Sequence, residues 1–195
     1  SEGNARNAIE SAENRLSEAV KLDPKLEPAV LLFAELKIRK GSAAAAIEPL
    51  RELIKERPQT AQAYYLLATS YLMQGQAAAA ASTYQQMMAL FPKDPQPPFL
   101  LGNALLAQGQ QAEARKAFEK SAVISPDYLP TTERLLDFEI ADKQYAAAMG
   151  RAQQQMDKDP KRAQSWALRA KVHLAQRDFA HAEPDLLKAI EIDPK

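Results

Sequence analysis

Apolar residues recur along this chain at the spacing of one helix face. Tyr64, Leu67, Ala68 and Tyr71 stand at i, i+3, i+4 and i+7, and Leu101, Gly102 and Leu105 repeat the stripe further on. The apolar-periodic stretches come in pairs of about 13 residues each, long enough for helices of ~20 Å. Gly41, Gly75 and Gly109 separate the members of a pair, at points where the positive φ open to glycine can end a helix. The pattern predicts an all-α chain of ten helices in five antiparallel hairpins, preceded by one leading helix, with no β-strand.

A period of 34 residues runs beneath this pattern. Pro24, Pro58, Pro92, Pro126, Pro160 and Pro194 follow one another at that interval, and an alanine stands twelve residues before each: Ala12, Ala46, Ala80, Ala114, Ala148 and Ala182. The alanine is expected where two helix axes approach too closely for a larger side chain. The proline is expected to stop the second helix, since its ring carries no N–H. Pro49 and Pro184 fall inside second helices, where a proline costs ~3 kcal/mol or bends the helix.

These columns resemble the tetratricopeptide repeat, whose unit has an aromatic, Leu-Gly/Ala, Tyr, Gly, Ala, Phe/Tyr, Ala and Pro. One stretch reads Tyr64, Leu67-Ala68, Tyr71, Gly75, Ala80, Tyr84 and Pro92. The next reads Leu101-Gly102, Gly109, Ala114, Phe118 and Pro126, and the last supplies Trp166, Ala170, Phe179, Ala182, Ala189 and Pro194. The resemblance implies a right-handed α-solenoid of helical hairpins. Residues 1–26 would supply a partial unit, with Ala12, Leu16, Ala19 and Pro24 in the register of a second helix. Full units would follow at 27–60, 61–94, 95–128, 129–162 and 163–195. The unit 129–162 departs most: Lys143 replaces the turn glycine, Leu136 the small residue, and Ala152 and Gln155 stand at packing positions. A looser or slightly rotated junction is expected there.

Composition narrows the partner. The 195 residues are 46% hydrophobic and 26% charged, within the globular range. Twenty-five basic residues balance twenty-five acidic ones, so the chain lacks the electrostatic footprint for nucleic acid or an anionic bilayer. With no cysteine there is no disulfide and no thiolate-held metal. No apolar run approaches the ~20 residues that span a bilayer. Ser1-Glu2-Gly3-Asn4 show neither an initiator methionine nor a signal peptide, and the chain reads as a segment of something longer.

Chemistry is sparse. His173 stands in the column of Tyr71 and is expected to fill space between helices, while His181 falls on the solvent side. Eight residues separate them, no H-E-x-x-H spacing occurs, and no metal site is expected. Phosphate-cradling glycine loops and a G-x-S-x-G elbow are absent from the sequence. Asp157, Asp159 and Asp178 flank helix ends, where solvated charge is ordinary. The reading is of a non-enzymatic chain without a cofactor.

In the family it resembles, first helices line a concave binding surface. Here that stripe reads Gln62, Tyr65, Thr69, Leu72 and Met73, then Gln96, Phe99, Asn103, Leu106 and Ala107. Gln62, Tyr65, Thr69, Gln96, Phe99 and Asn103 are the candidate partner-binding residues. Tyr65 and Phe99 should be neighbours offering rigid contact area, or else merely pad the junction between first helices. The stretch 61–94 carries only Lys93 and Asp94 as charges, which suits an uncharged or apolar peptide. The family's carboxylate clamp is not matched: its positions hold Leu31, Glu35, Leu66, Gln96 and Leu100, and sliding the window recovers only Asn103 and Arg134. Glu133, Arg134, Asp137 and Lys171 form a mixed patch read as solvated surface.

The function implied is a protein-interaction scaffold within a longer protein. The alternatives are an array that positions substrates for a catalytic domain elsewhere, or a structural or oligomerisation spacer. The last helix carries Leu186, Leu187, Ala189, Ile190 and Ile192, more than one hairpin covers, so weak end-to-end self-association is expected. The alanine- and glutamine-rich style, with Tyr128-Leu129-Pro130 and the tail from Ala189 to Pro194, is similar to repeat lipoproteins of bacterial exosortase (PEP-CTERM) systems. That similarity implies the bacterial envelope and a partner in polysaccharide or protein export.

Overall fold

The computed structural model describes residues 2–194, with side chains from Glu10 onward; the opening Ser1-Glu2-Gly3-Asn4 side chains and Lys195 lie outside the described set. Within it the chain forms eleven α-helices and no strand. They are α1 (Glu2–Leu22), α2 (Glu27–Arg39), α3 (Ala44–Glu56), α4 (Ala61–Met73), α5 (Ala77–Leu90), α6 (Gln96–Ala107), α7 (Gln111–Ile124), α8 (Leu129–Ala141), α9 (Tyr145–Lys158), α10 (Ala163–Ala175) and α11 (Phe179–Ile192). Each proline of the 34-residue series stands two residues beyond a helix end, where the missing N–H costs nothing. Among the described residues no helix is long and apolar enough to cross a membrane.

Two compact units divide the chain, residues 1–114 and 115–195. In the first, each helix packs against the next from α1 to α6, and α2 also touches α4. Val30, Ala34, Ala46, Leu50, Leu53 and Ala63 lose all contact with solvent in its core. In the second unit α8 packs on α9, α9 on α10 and α10 on α11, around Leu136, Ala148, Ala152, Leu168 and Val172.

Five of the six periodic alanines are buried to 1% exposure or less, as close helix approach demands. Ala12 is the exception and lies exposed, on a face of α1 that α2 does not cover. Pro49 and Pro184 do not break their helices: α3 and α11 run through them. The carbonyls that lose their donor belong to Ala45 and Ala180, both exposed residues, so water can serve them.

The hairpin turns share one geometry. Gly41, Gly75 and Gly109 take φ of 74°, 70° and 74°, and Lys143 and Arg177 occupy the same place at 59° and 61°. After each, a backbone N–H reaches back five residues: Ser42 to Lys37, Gln76 to Tyr71, Gln110 to Leu105, Gln144 to Glu139 and Asp178 to His173, at 2.7–3.0 Å. This is the 6→1 bond of a Schellman turn. It requires the left-handed residue, so Lys143 and Arg177 accept a conformation their Cβ disfavours.

The departures seen at residues 129–162 are answered by polar bonds in the core. Gln155 is 4% exposed, and its Nε2 donates to the Pro126 carbonyl at 3.0 Å and to Thr132 Oγ1 at 3.3 Å. The hydroxyls of Ser121 and Thr131 meet at 2.6 Å. Glu139, 6% exposed, receives Arg151 on both oxygens at 2.6–3.1 Å.

Candidate functional site

The six residues singled out in the sequence all lie in the first unit, on α4 and α6. Helical spacing puts Gln62, Tyr65 and Thr69 along one stripe of α4, and Gln96, Phe99 and Asn103 along the corresponding stripe of α6. Tyr65, Thr69, Phe99 and Asn103 are half-buried, while Gln62 and Gln96 are exposed. Further along α4, Leu72 and Met73 keep 39% and 46% of their surface open.

A charge in the loop before α6 joins the two stripes. Asp94, just before α6, accepts the Tyr65 hydroxyl on Oδ2 at 2.7 Å and the Gln96 N–H on Oδ1 at 2.9 Å. One carboxylate thus fixes the tip of the α4 aromatic and the first turn of α6. Beside it, an open hollow of about 540 Å³ lies over Phe91, Pro92, Lys93 and Asp94. Phe91 is itself held edge-on to Tyr64, ring centroids 6.3 Å apart.

Other bonds tie this face together. Gln62 Nε2 donates to Glu35 of α2 at 2.7 Å, and Thr69 turns its hydroxyl back onto the Tyr65 carbonyl at 2.8 Å. Hydrogen-bonding capacity at Gln62 and Thr69 is therefore already partly engaged within the chain. The only signal for Asp94 in the sequence was its position, as one of two charges in an otherwise uncharged stretch.

A second cleft, of about 330 Å³, opens among α3, α4 and α5, where Arg51 and Gln86 rim Leu67, Tyr71 and Thr83. Elsewhere, in the second unit, His173, Asp178 and His181 bring ligand atoms within 4.8 Å of one another, although eight residues of sequence separate the histidines.

Family models described as tetratricopeptide repeat match residues 31–95, 71–130 and 163–195, together more than half of the sequence. The chain carries tetratricopeptide repeats. A search of curated proteins returns no match. Among solved structures, a tetratricopeptide repeat protein from Parabacteroides merdae is similar at TM-score 0.69 and 15% identity, covering 96% of this chain and 74% of that one. YrrB, described as a TPR protein with an unusual peptide-binding site, is similar at TM-score 0.61 and 15% identity, over 92% of this chain and 93% of that one. A thermophilic TPR protein of Thermus thermophilus reaches TM-score 0.61 and 20% identity, over 87% and 92%. At such identities the likeness is one of fold.

The tetratricopeptide fold is consistent with a protein–protein interaction scaffold. In the mixed patch of this repeat array, Lys171 pairs with Asp137, while Glu133 and Arg134 are exposed.

Proposed function

We propose that this chain is an interaction scaffold that holds an extended, largely uncharged peptide segment of a partner protein in a concave groove, along the stripes of α4 and α6 that carry Tyr65 and Phe99. The observation that carries the reading is the Tyr65–Asp94–Gln96 bridge, which joins one first helix to the start of the next. A rigid amphipathic ring loses little entropy when a ligand docks on it, and its anchoring lowers that cost further. Phe99 and the exposed Leu72 and Met73 add apolar area, and the Gln62 and Gln96 amides can meet a peptide backbone. YrrB, similar in fold, is described by its own peptide-binding site, which supports this choice of ligand class. Tetratricopeptide proteins are generally non-catalytic scaffolds, and the reading assigns this chain no reaction. That the partner belongs to envelope export rests on the sequence resemblance alone.

The test begins with a displayed peptide library panned on the tag-free chain, followed by titration of the selected peptides. Tyr65→Ala and Phe99→Ala should each weaken binding by about 2 kcal/mol, roughly thirtyfold in Kd. Selected peptides that bind both variants as tightly as the parent would move the site off this face.

One further observation favours a second reading beside the first. Phe179, Leu187 and Ile190 on α11 are 65%, 61% and 59% exposed. Helical spacing groups Leu187 and Ile190, and weak self-association through them is proposed. Sedimentation across a wide concentration range should show reversible association that Leu187→Lys with Ile190→Lys removes; a strictly monomeric parent would end this reading.

A further inference from the structure

The last hairpin builds a second constellation, independent of the peptide face. Its position follows from the turn. The Schellman bond from the Asp178 N–H to the His173 carbonyl, 2.9 Å, brings the last turn of α10 against the start of α11. Asp178 then caps α11, accepting the His181 N–H at 3.3 Å, and one further turn of helix returns the His181 side chain over the junction. The imidazoles of His173 and His181 stack with centroids 5.3 Å apart and planes 23° from parallel. The four earlier turns fold alike, yet their matching triplets are Lys37/Ser42/Ala45, Tyr71/Gln76/Ala79, Leu105/Gln110/Glu113 and Glu139/Gln144/Ala147. Only the last combines two imidazoles with a carboxylate.

The donor atoms converge on one point. His181 Nδ1 lies 2.7 and 2.9 Å from the two Asp178 oxygens, and His173 Nδ1 lies 3.4 Å from Oδ2. His173 Nδ1 is buried and makes no hydrogen bond among the described residues. On the far side of that ring, Nε2 faces Asp185 Oδ2 at 4.0 Å, and Arg169 holds Asp185 in place through two bonds of 2.5 and 2.7 Å. Each nitrogen of His173 thus faces a carboxylate, Asp178 at Nδ1 and, farther off, Asp185 at Nε2. A neutral His173 with its proton on Nε2, toward Asp185, presents a lone pair at the buried Nδ1.

We propose that His173 Nδ1, His181 Nδ1 and the Asp178 carboxylate bind a divalent first-row transition ion, zinc in the first instance, in a three-ligand site open on the His181 side. Metal–nitrogen bonds of about 2.0–2.1 Å set adjacent ligand atoms roughly 3.3 Å apart in a tetrahedron. The 3.4 Å from His173 to Asp178 already fits that edge. The 2.7 Å from His181 must open by roughly 0.6 Å to match the same tetrahedron. Its side chain is 70% exposed, so no packed core opposes that shift. As the ion enters, the His181 proton moves to Nε2 and Nδ1 becomes a donor. Asp185 behind His173 acts as the outer-shell carboxylate that orients a metal-bound imidazole. Two nitrogen donors and one oxygen exclude calcium and magnesium, which take oxygen ligands. The ion would staple α10 to α11, raising the melting temperature of the hairpin.

The experiment titrates chelator-treated, tag-free chain with zinc chloride by calorimetry, and with cobalt chloride followed by visible absorption. Expected are one saturable zinc equivalent, the intense visible bands of four-coordinate cobalt, and a higher melting temperature with zinc. Losing an outer-shell partner costs about 10–100-fold in metal affinity. Losing a ligand, in His181→Gln or His173→Gln, should therefore cost at least about 100-fold. His181→Gln changes an exposed side chain, and Asp178→Asn keeps a good helix cap, so both should fold with the parent's circular dichroism. Calcium and magnesium should give no heat. The proposal is overturned if no stoichiometric zinc binds, or if zinc binds His181→Gln and Asp178→Asn as tightly as the parent.

Discussion

In the hairpin of α4 and α5 the chain turns on Gly75, at φ 70°, and no atom lies within 4 Å of where a Cβ would stand. Its facing positions Tyr71 and Thr83 line a cleft, and Thr83 spends its hydroxyl on the Ala79 carbonyl. The hairpin of α10 and α11 turns on Arg177 at φ 61°, and the same facing positions hold His173 and Asp185. Arg169 stands where Leu67 packs in the earlier hairpin, and its guanidinium rests 5.1 Å from the Trp166 ring. The hairpin of α8 and α9 is of the second kind, with Glu139 and Arg151 at those positions and Lys143 in the turn. One backbone plan therefore carries two interiors. The apolar one gains stability by excluding water, while the charged one is held by pairs that are costly to split.

Splitting such a pair should give the largest effect. Arg151→Met leaves the Glu139 carboxylate, 6% exposed, without its partner. The expected loss is about 2–4 kcal/mol, slightly under a fully buried pair because Arg151 still reaches water. One period earlier the chain holds Leu105 and Ala117 at these positions. The double variant Glu139→Leu with Arg151→Ala should accordingly return to within about 1 kcal/mol of the parent. Urea denaturation of the three proteins decides it; a double variant as weak as the single one would mean that the pair itself stabilises this hairpin.

Overpacking should come next. Ala80→Leu forces a side chain into a site with no exposed surface and should cost about 1–3 kcal/mol. Ala12→Leu, in the same sequence column but exposed, should change the midpoint by less than about 0.5 kcal/mol. Equal effects at the two positions would show that close approach is not what the alanine column records.

The turns offer a smaller gain. Lys143→Gly and Arg177→Gly should each stabilise by about 0.5–1 kcal/mol, because relief of the left-handed strain exceeds the extra freedom glycine gains when unfolded. Gly75→Lys should lose a similar amount. Thermal midpoints that move the other way would place the strain elsewhere.

Helices, hairpin turns and the buried alanines were legible because each depends on local periodicity or on one backbone angle. The left-handed turns at Lys143 and Arg177 stand in the column of Gly41, Gly75 and Gly109, but neither side chain signals a positive φ. The α4 and α6 stripes were legible as stripes, but the bond from Asp94 to Tyr65 joins residues 29 apart and leaves no local trace. Eight residues between His173 and His181 match no ligand spacing along one helix. A reversing turn with its own five-residue bond brings them together instead. The ion pairs were hidden for a related reason: Glu139 and Asp185 occupy positions that hold Tyr71, Leu105 or Thr83 elsewhere, and no rule of periodicity anticipates a charge there.

The smallest effect belongs to a charged tie of the first unit, in which Glu13 and Lys37 are half-buried and Lys40 is exposed. Lys37 and Lys40 of α2 each donate to one oxygen of Glu13 on α1. The bond from Lys37, then that from Lys40, brings the Glu13 carboxyl down from 4.5 to about 2. The ionised form is thus favoured in the folded chain. Its contribution is complete above the unfolded value near 4.5 and is lost as pH falls through that value toward 2. Glu13→Gln should unfold at slightly lower urea than the parent at pH 7, and the gap should narrow below pH 4.5 and close as pH falls through about 2. Lys40 remains 43% exposed, so about 1 M salt, with a Debye length near 3 Å, should also narrow the gap. The Glu139–Arg151 pair should respond less to the same salt, because its carboxylate is 6% exposed. A Glu13 gap undiminished at pH 2.5, or two pairs with equal salt dependence, would dissolve the contrast between a tie with an exposed partner and one with a buried carboxylate.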